Sequence, residues 1–268
     1  MRGLVLLLVL AAPTAFAAEE SVRLDAARID PRDIASLQAG ARTFVNYCLN
    51  CHSAGMMRYH KLLEIGLTEQ QVRDNLLFTA DKIGELMNVA LTRKDAKEWF
   101  GTAPPDLSVI ARARGPDWLY TYLRSFYRDR ESATGWNNMV YDRVAMPHVL
   151  WTLSGQQVQV ERKFKNLEQA EGAGRQERNA WKIDVLTPEQ AGKDGERFIL
   201  KTIRTETAGS LSQYDYDALV HDLVNFMTWM SEPNQLERKQ AGYVVMLVLL
   251  VLLVLAYFLY KEFWKDVH

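Results

Sequence analysis

Cys48 and Cys51 are the two cysteines of the 268-residue chain, and His52 directly follows the second, giving the run Cys48-Leu49-Asn50-Cys51-His52. A C-x-x-C-H spacing is that of a covalent haem attachment sequence. On a helical turn, residues three and four apart share a face. Both sulfurs can then reach the two vinyl groups along one porphyrin edge, while His52 brings an imidazole beneath the iron. A dithiol redox pair would sit after a strand in a βαβ pattern, which the surrounding sequence lacks. A zinc site would need a second pair of ligands, and no other cysteine exists to join one. One copy of the motif means one haem.

A closed iron needs a second axial ligand. The candidates are His60, His148, His221 and His268, with Met56, Met57, Met87, Met139 and Met146. His268 falls beyond the apolar C-terminal run, and His221 points off the apolar stripe of its helix. His60 lies between Tyr59 and Lys61, as a solvated side chain would. Met146 precedes Pro147, which pushes it out of helical geometry onto an extended loop able to fold over the distal haem face. Most methionines fill core space. The pattern therefore favours Met146, with Met139 and His148 left as alternatives.

These residues must be held by helices. Leu37, Gly40, Phe44 and Tyr47 recur at helical spacing over 36–47, leading into the motif. The small Gly40 lets another helix cross closely. Residues 53–66 read as loop and short helix. Thr68 and Gln71 form a capping box ahead of Val72, Leu76 and Leu77. Further helical stretches are predicted over 82–91, 106–114 and 116–128, with Pro104-Pro105 as a break. Residues 134–150 read as loop, and 157–205 are the least helical part, with strands over 158–160 and 198–203. Ser212 and Asp215 cap the last soluble helix. Its stripe of Tyr216, Leu219, Val220, Leu223, Phe226, Met227 and Met230 is predicted to pack on the 36–47 helix and cover the haem. Pro233 ends it.

The chain ends speak of location. Met1-Arg2, the apolar run 4–12 and Ala15-Phe16-Ala17 have the order of a secretory signal peptide cleaved after Ala17. No Arg-rich organellar presequence precedes it, which favours a bacterial envelope. Residues 242–260 carry no charge and are long enough to span a bilayer, with Tyr243, Tyr257, Tyr260 and Trp264 at interfacial positions. The expected organisation is a signal peptide at 1–17, an exported haem domain at 18–239, a transmembrane anchor at 240–260 and a cytoplasmic tail at 261–268. A formal net charge of −1 gives no polycation to attract nucleic acid.

Several stretches together resemble cytochrome c1, the haem subunit of the cytochrome bc1 complex, in its bacterial form. They are CLNCHS, then APPDLSVIARARG at 103–115, AMP at 145–147 and the closing DLVNFMTWMSEPNQLERKQAGYVVMLVLL. The resemblance implies a mainly α fold: a class I cytochrome c-like haem domain with a small irregular or β insertion and one C-terminal transmembrane helix. It implies one covalent haem c, with Met146 as the sixth iron ligand and Arg112 as partner of a haem propionate. Pro104 and Pro105 would line the pocket. The implied task is electron transfer within ubiquinol–cytochrome c reductase, from the Rieske iron–sulfur protein to an acceptor cytochrome c. The partners would be cytochrome b and membrane lipid, on the periplasmic side of a bacterial inner membrane. The alternative is a freestanding membrane-anchored cytochrome donating to a terminal oxidase. A gas-binding haem domain would keep one axial position open. No motif accounts for 161–196.

Overall fold

The computed structural model describes residues 22–177, 180–187, 190 and 195–266, so the expected signal peptide and His268 lie outside the described residues. Residues 22–33 run irregularly and are strapped down by side chains. The Asp25 N–H donates to Thr121 Oγ1 at 2.8 Å, and the Ala27 N–H to Asp117 Oδ1 at 2.8 Å. Helix α1 (Ile34–Thr43) starts where Asp33 accepts from the Ser36 N–H. It runs into a π-helical turn, Phe44–Cys48.

Against α1 lies α8 (Gln213–Ser231), opened by Ser212, whose hydroxyl accepts from the Asp215 N–H. Six of its seven predicted stripe residues are buried, with Leu219 partly so. The two helices meet where Gly40 backs onto the Asp222 carbonyl, and the Phe44 and Phe226 rings tilt together at 5.6 Å. Fully burying one such side chain contributes about 1.5–3 kcal/mol, so this seam is a main support of the motif. The predicted crossing at Gly40 is the one observed.

Strand β1 (Ala54–Arg58) and a 3-10 helix (Tyr59–Ile65) follow the motif, and then α2 (Glu69–Asn75). In α2 the Thr68–Gln71 capping box forms with both reciprocal bonds. The helix predicted over 82–91 is absent. Glu85 folds back onto Lys82 in a turn, and β2 (Leu86–Met87) pairs with β1, placing the fully buried Met87 opposite Ala54. The helix comes later, as α3 (Arg93–Phe100), capped by Thr92 and by Gly101 in the left-handed conformation. Likewise 106–114 is helical only as α4 (Ile110–Arg114), because Asp106 spends its carboxylate on a turn.

Helix α5 (Pro116–Arg124) stops short of the predicted Arg128. Asn138 Nδ2 takes the Tyr122 carbonyl at 2.8 Å, and the chain turns into β3 (Phe126–Arg128). Strand β3 pairs with β4 (Trp136–Asn138), inside the stretch read as loop. Beyond the short α6 (Trp151–Ser154) comes the excursion. It comprises β5 (Gly155–Phe164), α7 (Leu167–Gly174), β6 (Lys182–Val185) and β7 (Phe198–Ala208), with strand order β5-β7-β6. Both predicted strands are present and longer than expected. After Pro233, α9 (Gln235–Phe263) buries no residue and, among the described residues, is the one helix long and apolar enough to cross a membrane. The fold is mainly α with small antiparallel sheets.

Candidate haem site

The π-turn shapes the motif. Leu49 N–H reaches back five residues to the Phe44 carbonyl at 3.1 Å, and Leu49 itself is buried. The N–H groups of Cys51 and His52 then both donate to the Cys48 carbonyl, at 3.2 and 2.9 Å. Such turns interrupt α-helices frequently at functional sites. Both thiols are free and half-buried. Cys48 packs against the main core, where burial, and secondarily Cys51, pushes its thiol up to about 12.

His52 is oriented through its other nitrogen. Its Nδ1 stands 2.7 Å from the Pro105 carbonyl oxygen, which can only accept, so Nδ1 carries the proton and Nε2 keeps a lone pair. Metal-ligating histidines are held in this way. Burial lowers the ring's pKa, against smaller raising effects of Pro105 and Asp106, and favours neutral imidazole.

The Pro105 loop is buttoned to the motif's far side. Leu107 N–H donates to the Ser53 carbonyl at 2.8 Å, Gly55 N–H to Asp106 Oδ2 at 2.7 Å, and Met56 N–H to Ser108 Oγ at 3.0 Å. Burial works to raise the Asp106 carboxyl, but the bonds from Ser108 and Gly55 outweigh it and hold the group low. Pro105 thus contributes its backbone carbonyl.

The axial candidates separate by environment. Met57 and Met87 are core, while Met56 and His60 are exposed. His221 faces Asp222 at 3.2 Å. His148 is buried, stacked on Phe126 at 4.8 Å and bonded through Nε2 to Ser154 Oγ at 2.8 Å. Met139 is buried with Tyr127 and Ile203 at the foot of the excursion, its sulfur accepting from Gln159. Met146 is half-buried against Phe126, Trp136 and Val144, and its Sδ accepts a hydrogen bond from the Tyr122 hydroxyl at 3.5 Å.

The two arginines of α4 diverge. Arg112 is exposed and makes no ion pair among the described residues, although its charge helps hold Glu232 low, after the larger effects of Arg238. Arg114 lies over the Trp118 ring at 5.2 Å, and Trp118 stacks on Tyr122. Neutral imidazole, two free thiols on one turn and a thioether on a separate loop form a donor set that fits a c-type haem.

The family model described as "Cytochrome C1 family" matches residues 27–170 and 208–267. The chain belongs to the cytochrome c1 family. A cytochrome c1 of Allochromatium vinosum is 42% identical over 271 residues, covering all of both chains. A protein of Nitrosomonas europaea named ammonia monooxygenase gamma subunit is also 42% identical, over 268 residues, covering 100% of this chain and 99% of its own. Cytochrome c1 of Rhodospirillum rubrum is 25% identical over 254 residues, covering 88% of this chain and 83% of its own. Membership of the cytochrome c1 family makes this an electron-transport chain and implies haem c. Much of the excursion, 171–207, lies outside the family match.

Asp106, Tyr122, Trp118 and Arg114 were missing from the residues singled out in the sequence. Asp106 carries a readable signal, since Asp-x-Ser after Pro-Pro is a turn-forming pattern. The other three have only the i, i+4 spacing of a common apolar face.

Proposed function

We propose that this chain is the electron-transfer subunit of a ubiquinol–cytochrome c reductase. It would sit beside cytochrome b, receive electrons from a Rieske iron–sulfur protein and pass them through one covalent haem c to an acceptor cytochrome c. The observation that carries this reading is the His52 ring, whose Nδ1 is spent on the Pro105 carbonyl and whose Nε2 is left as a ligand on the turn bearing both thiols.

Cys48 and Cys51 would hold the porphyrin by thioether bonds, and His52 and Met146 would ligate its iron. Arg112 would meet a propionate, with Arg114 as the competing candidate for that role. What the haem would supply when bound is one-electron ferric–ferrous exchange, at a potential that a methionine thioether among its ligands raises. The protein's own residues do the rest. Pro105 fixes the His52 ring and its tautomer. Phe126, Trp136 and Tyr122 shield the Met146 thioether from water. The anchor at 240–260 would hold the 18–239 domain on the periplasmic face of a bacterial inner membrane, after removal of 1–17 and with 261–268 in the cytoplasm.

The freestanding donor to a terminal oxidase remains the second reading, and the Nitrosomonas europaea relative's name adds a monooxygenase complex as a third setting for such a chain. One preparation separates them: detergent-solubilised membranes, purified by haem absorbance, with every subunit identified. Co-purification of cytochrome b and a Rieske protein supports the reductase. A solitary haem chain, or one with monooxygenase subunits, overturns it. The spectrum is expected to be low-spin, unresponsive to carbon monoxide, and to lose its weak methionine–iron charge-transfer band in Met146→Ala.

A further inference from the structure

We propose that His148 is a positioning residue for Met146, its ring latching the far end of the 139–147 loop to Ser154 and so setting how firmly the thioether is held against iron. This rests on the reading of Met146 as a ligand of the haem iron.

The loop depends on what grips its two ends. At the near end, Asn138 Oδ1 accepts from the Val140 and Tyr141 N–H groups at 2.9 and 3.2 Å, and Asn137 Oδ1 from the Arg143 N–H at 2.9 Å. From Val144 to Pro147 the chain is neither helix nor strand, and Pro147 has no N–H to offer. Methionine has three rotatable bonds and adapts to its surroundings, so the Met146 side chain does not fix its own sulfur. The next fixed point is His148, two residues on and 2% exposed.

Three contacts hold that ring. Phe126 stacks on it at 4.8 Å, Trp136 meets it edge-on at 5.2 Å, and Nε2 lies 2.8 Å from Ser154 Oγ. The Ser154 hydroxyl donates its own proton to the Gly155 carbonyl at 3.0 Å, so its oxygen accepts from His148 Nε2–H. A nitrogen spent on serine is not left for a metal. Phe126 and Trp136 also form the wall against which Met146 packs. The imidazole therefore joins the methionine's pocket to the end of α6. That end is itself held, since the Leu211 N–H reaches the Leu153 carbonyl at 3.1 Å and the Ser210 N–H the Thr152 carbonyl at 2.9 Å. An apolar ring at 148 can keep the stack, but only a donor can keep the latch.

The test uses the full chain in its membrane complex. It reads the concentration of added imidazole that displaces the methionine, followed by loss of the methionine–iron charge-transfer band. Ser154→Ala removes the acceptor and leaves the ring in place; His148→Phe removes the donor and keeps the stack. Each is expected to need about two- to tenfold less imidazole than wild type, the worth of one neutral hydrogen bond. The double variant should be no more sensitive than the more sensitive single one, because both delete the same bond. Ser231→Ala, which deletes a buried hydroxyl bonded within α8, is the control and should match wild type. Wild-type behaviour of Ser154→Ala, an equal shift in Ser231→Ala, or additive effects in the double variant overturns the inference. Should the variants load poorly, nitrogen NMR of the histidine-labelled wild type decides: a slowly exchanging proton on His148 Nε2 is expected, and its absence overturns the proposal. Retention of the charge-transfer band in Met146→Ala would instead refute the ligand assignment itself.

Discussion

A Cβ placed on Gly40 would stand 2.0 Å from the backbone oxygen of Asp222 and 2.6 Å from the Phe226 Cβ. The helix that delivers the haem motif and the helix that closes the core touch there, backbone to backbone. Gly40→Ala is expected to cost about 3 kcal/mol or more, since neither helix can yield without moving Phe44 and the attachment turn. Chemical unfolding of the haem-loaded protein measures it, and a loss under 1 kcal/mol would contradict so close an approach.

The proposed covalent attachment would divide between two sulfurs. Cys48→Ala and Cys51→Ala are each expected to retain pigment through the remaining thioether. The double variant should retain none after denaturing electrophoresis with haem staining. Equal staining of the double variant would remove the basis of the whole functional reading.

The arginines of α4 can be told apart. If Arg112 meets the propionate, Arg112→Gln shifts the haem potential and Arg114→Gln does so less. The opposite order would assign the role to Arg114, which already lies over Trp118, itself stacked on Tyr122 beside Met146. Redox titration of both variants under one buffer settles the assignment.

Arg124 is a buried cation with two acidic partners, Asp217 at 2.6 Å and Asp25 at 2.8 Å, and the Tyr120 ring 4.5 Å away. It ties the lead-in segment, α5 and α8 together. Asp217→Asn leaves its guanidinium short of compensation, and about 3 kcal/mol of stability is expected to go, as for other broken buried pairs. Thermal unfolding should register this without any change in the visible spectrum.

Burial, followed by Asp142, Asp129 and Glu161, pushes the Tyr127 phenol up to about 12 from a usual value near 10. The unfolded chain therefore loses that proton first as the solution becomes alkaline. Tyr127's share of stability is intact below pH 10 and drains away as pH rises toward 12, by up to about 2 kcal/mol. Tyr127→Phe should unfold less steeply with pH in this window and behave like wild type at pH 7. Identical alkaline profiles would show that neither burial nor those carboxylates raises the phenol.

Local signals carried most of what could be read in advance. The attachment turn, the Thr68–Gln71 box, the Ser212 cap and the stripe of α8 each lie within a few residues, where side chain and backbone constrain one another directly. The failures arose where distant segments intervene. Residues 82–91 have helix-compatible composition, yet pairing of β2 with β1 pulls Met87 into the core. Pro105 was singled out as a lining residue, but its carbonyl works on His52 across 53 positions, a relation no spacing rule encodes. Tyr122 falls inside the helical stretch predicted over 116–128, while its hydrogen bond to Met146 depends on how the 139–147 loop returns.

The excursion begins at Gly155 and ends beside it at Ala208 and Gly209, with Gly155 paired to Ala208 across the ladder. Its entrance and exit form a closed neck, where even one methyl group on Gly209 would meet the Leu153 and Gly155 backbones at 2.1 and 2.3 Å. The foot of the loop, where Gln159 and Ile203 pack on Met139, belongs to the haem-side structure, whereas a loop pinched shut at its base can vary at its outer end without shifting the elements that would grip the prosthetic group. That outer end is the natural place to graft a reporter domain while keeping the redox core whole.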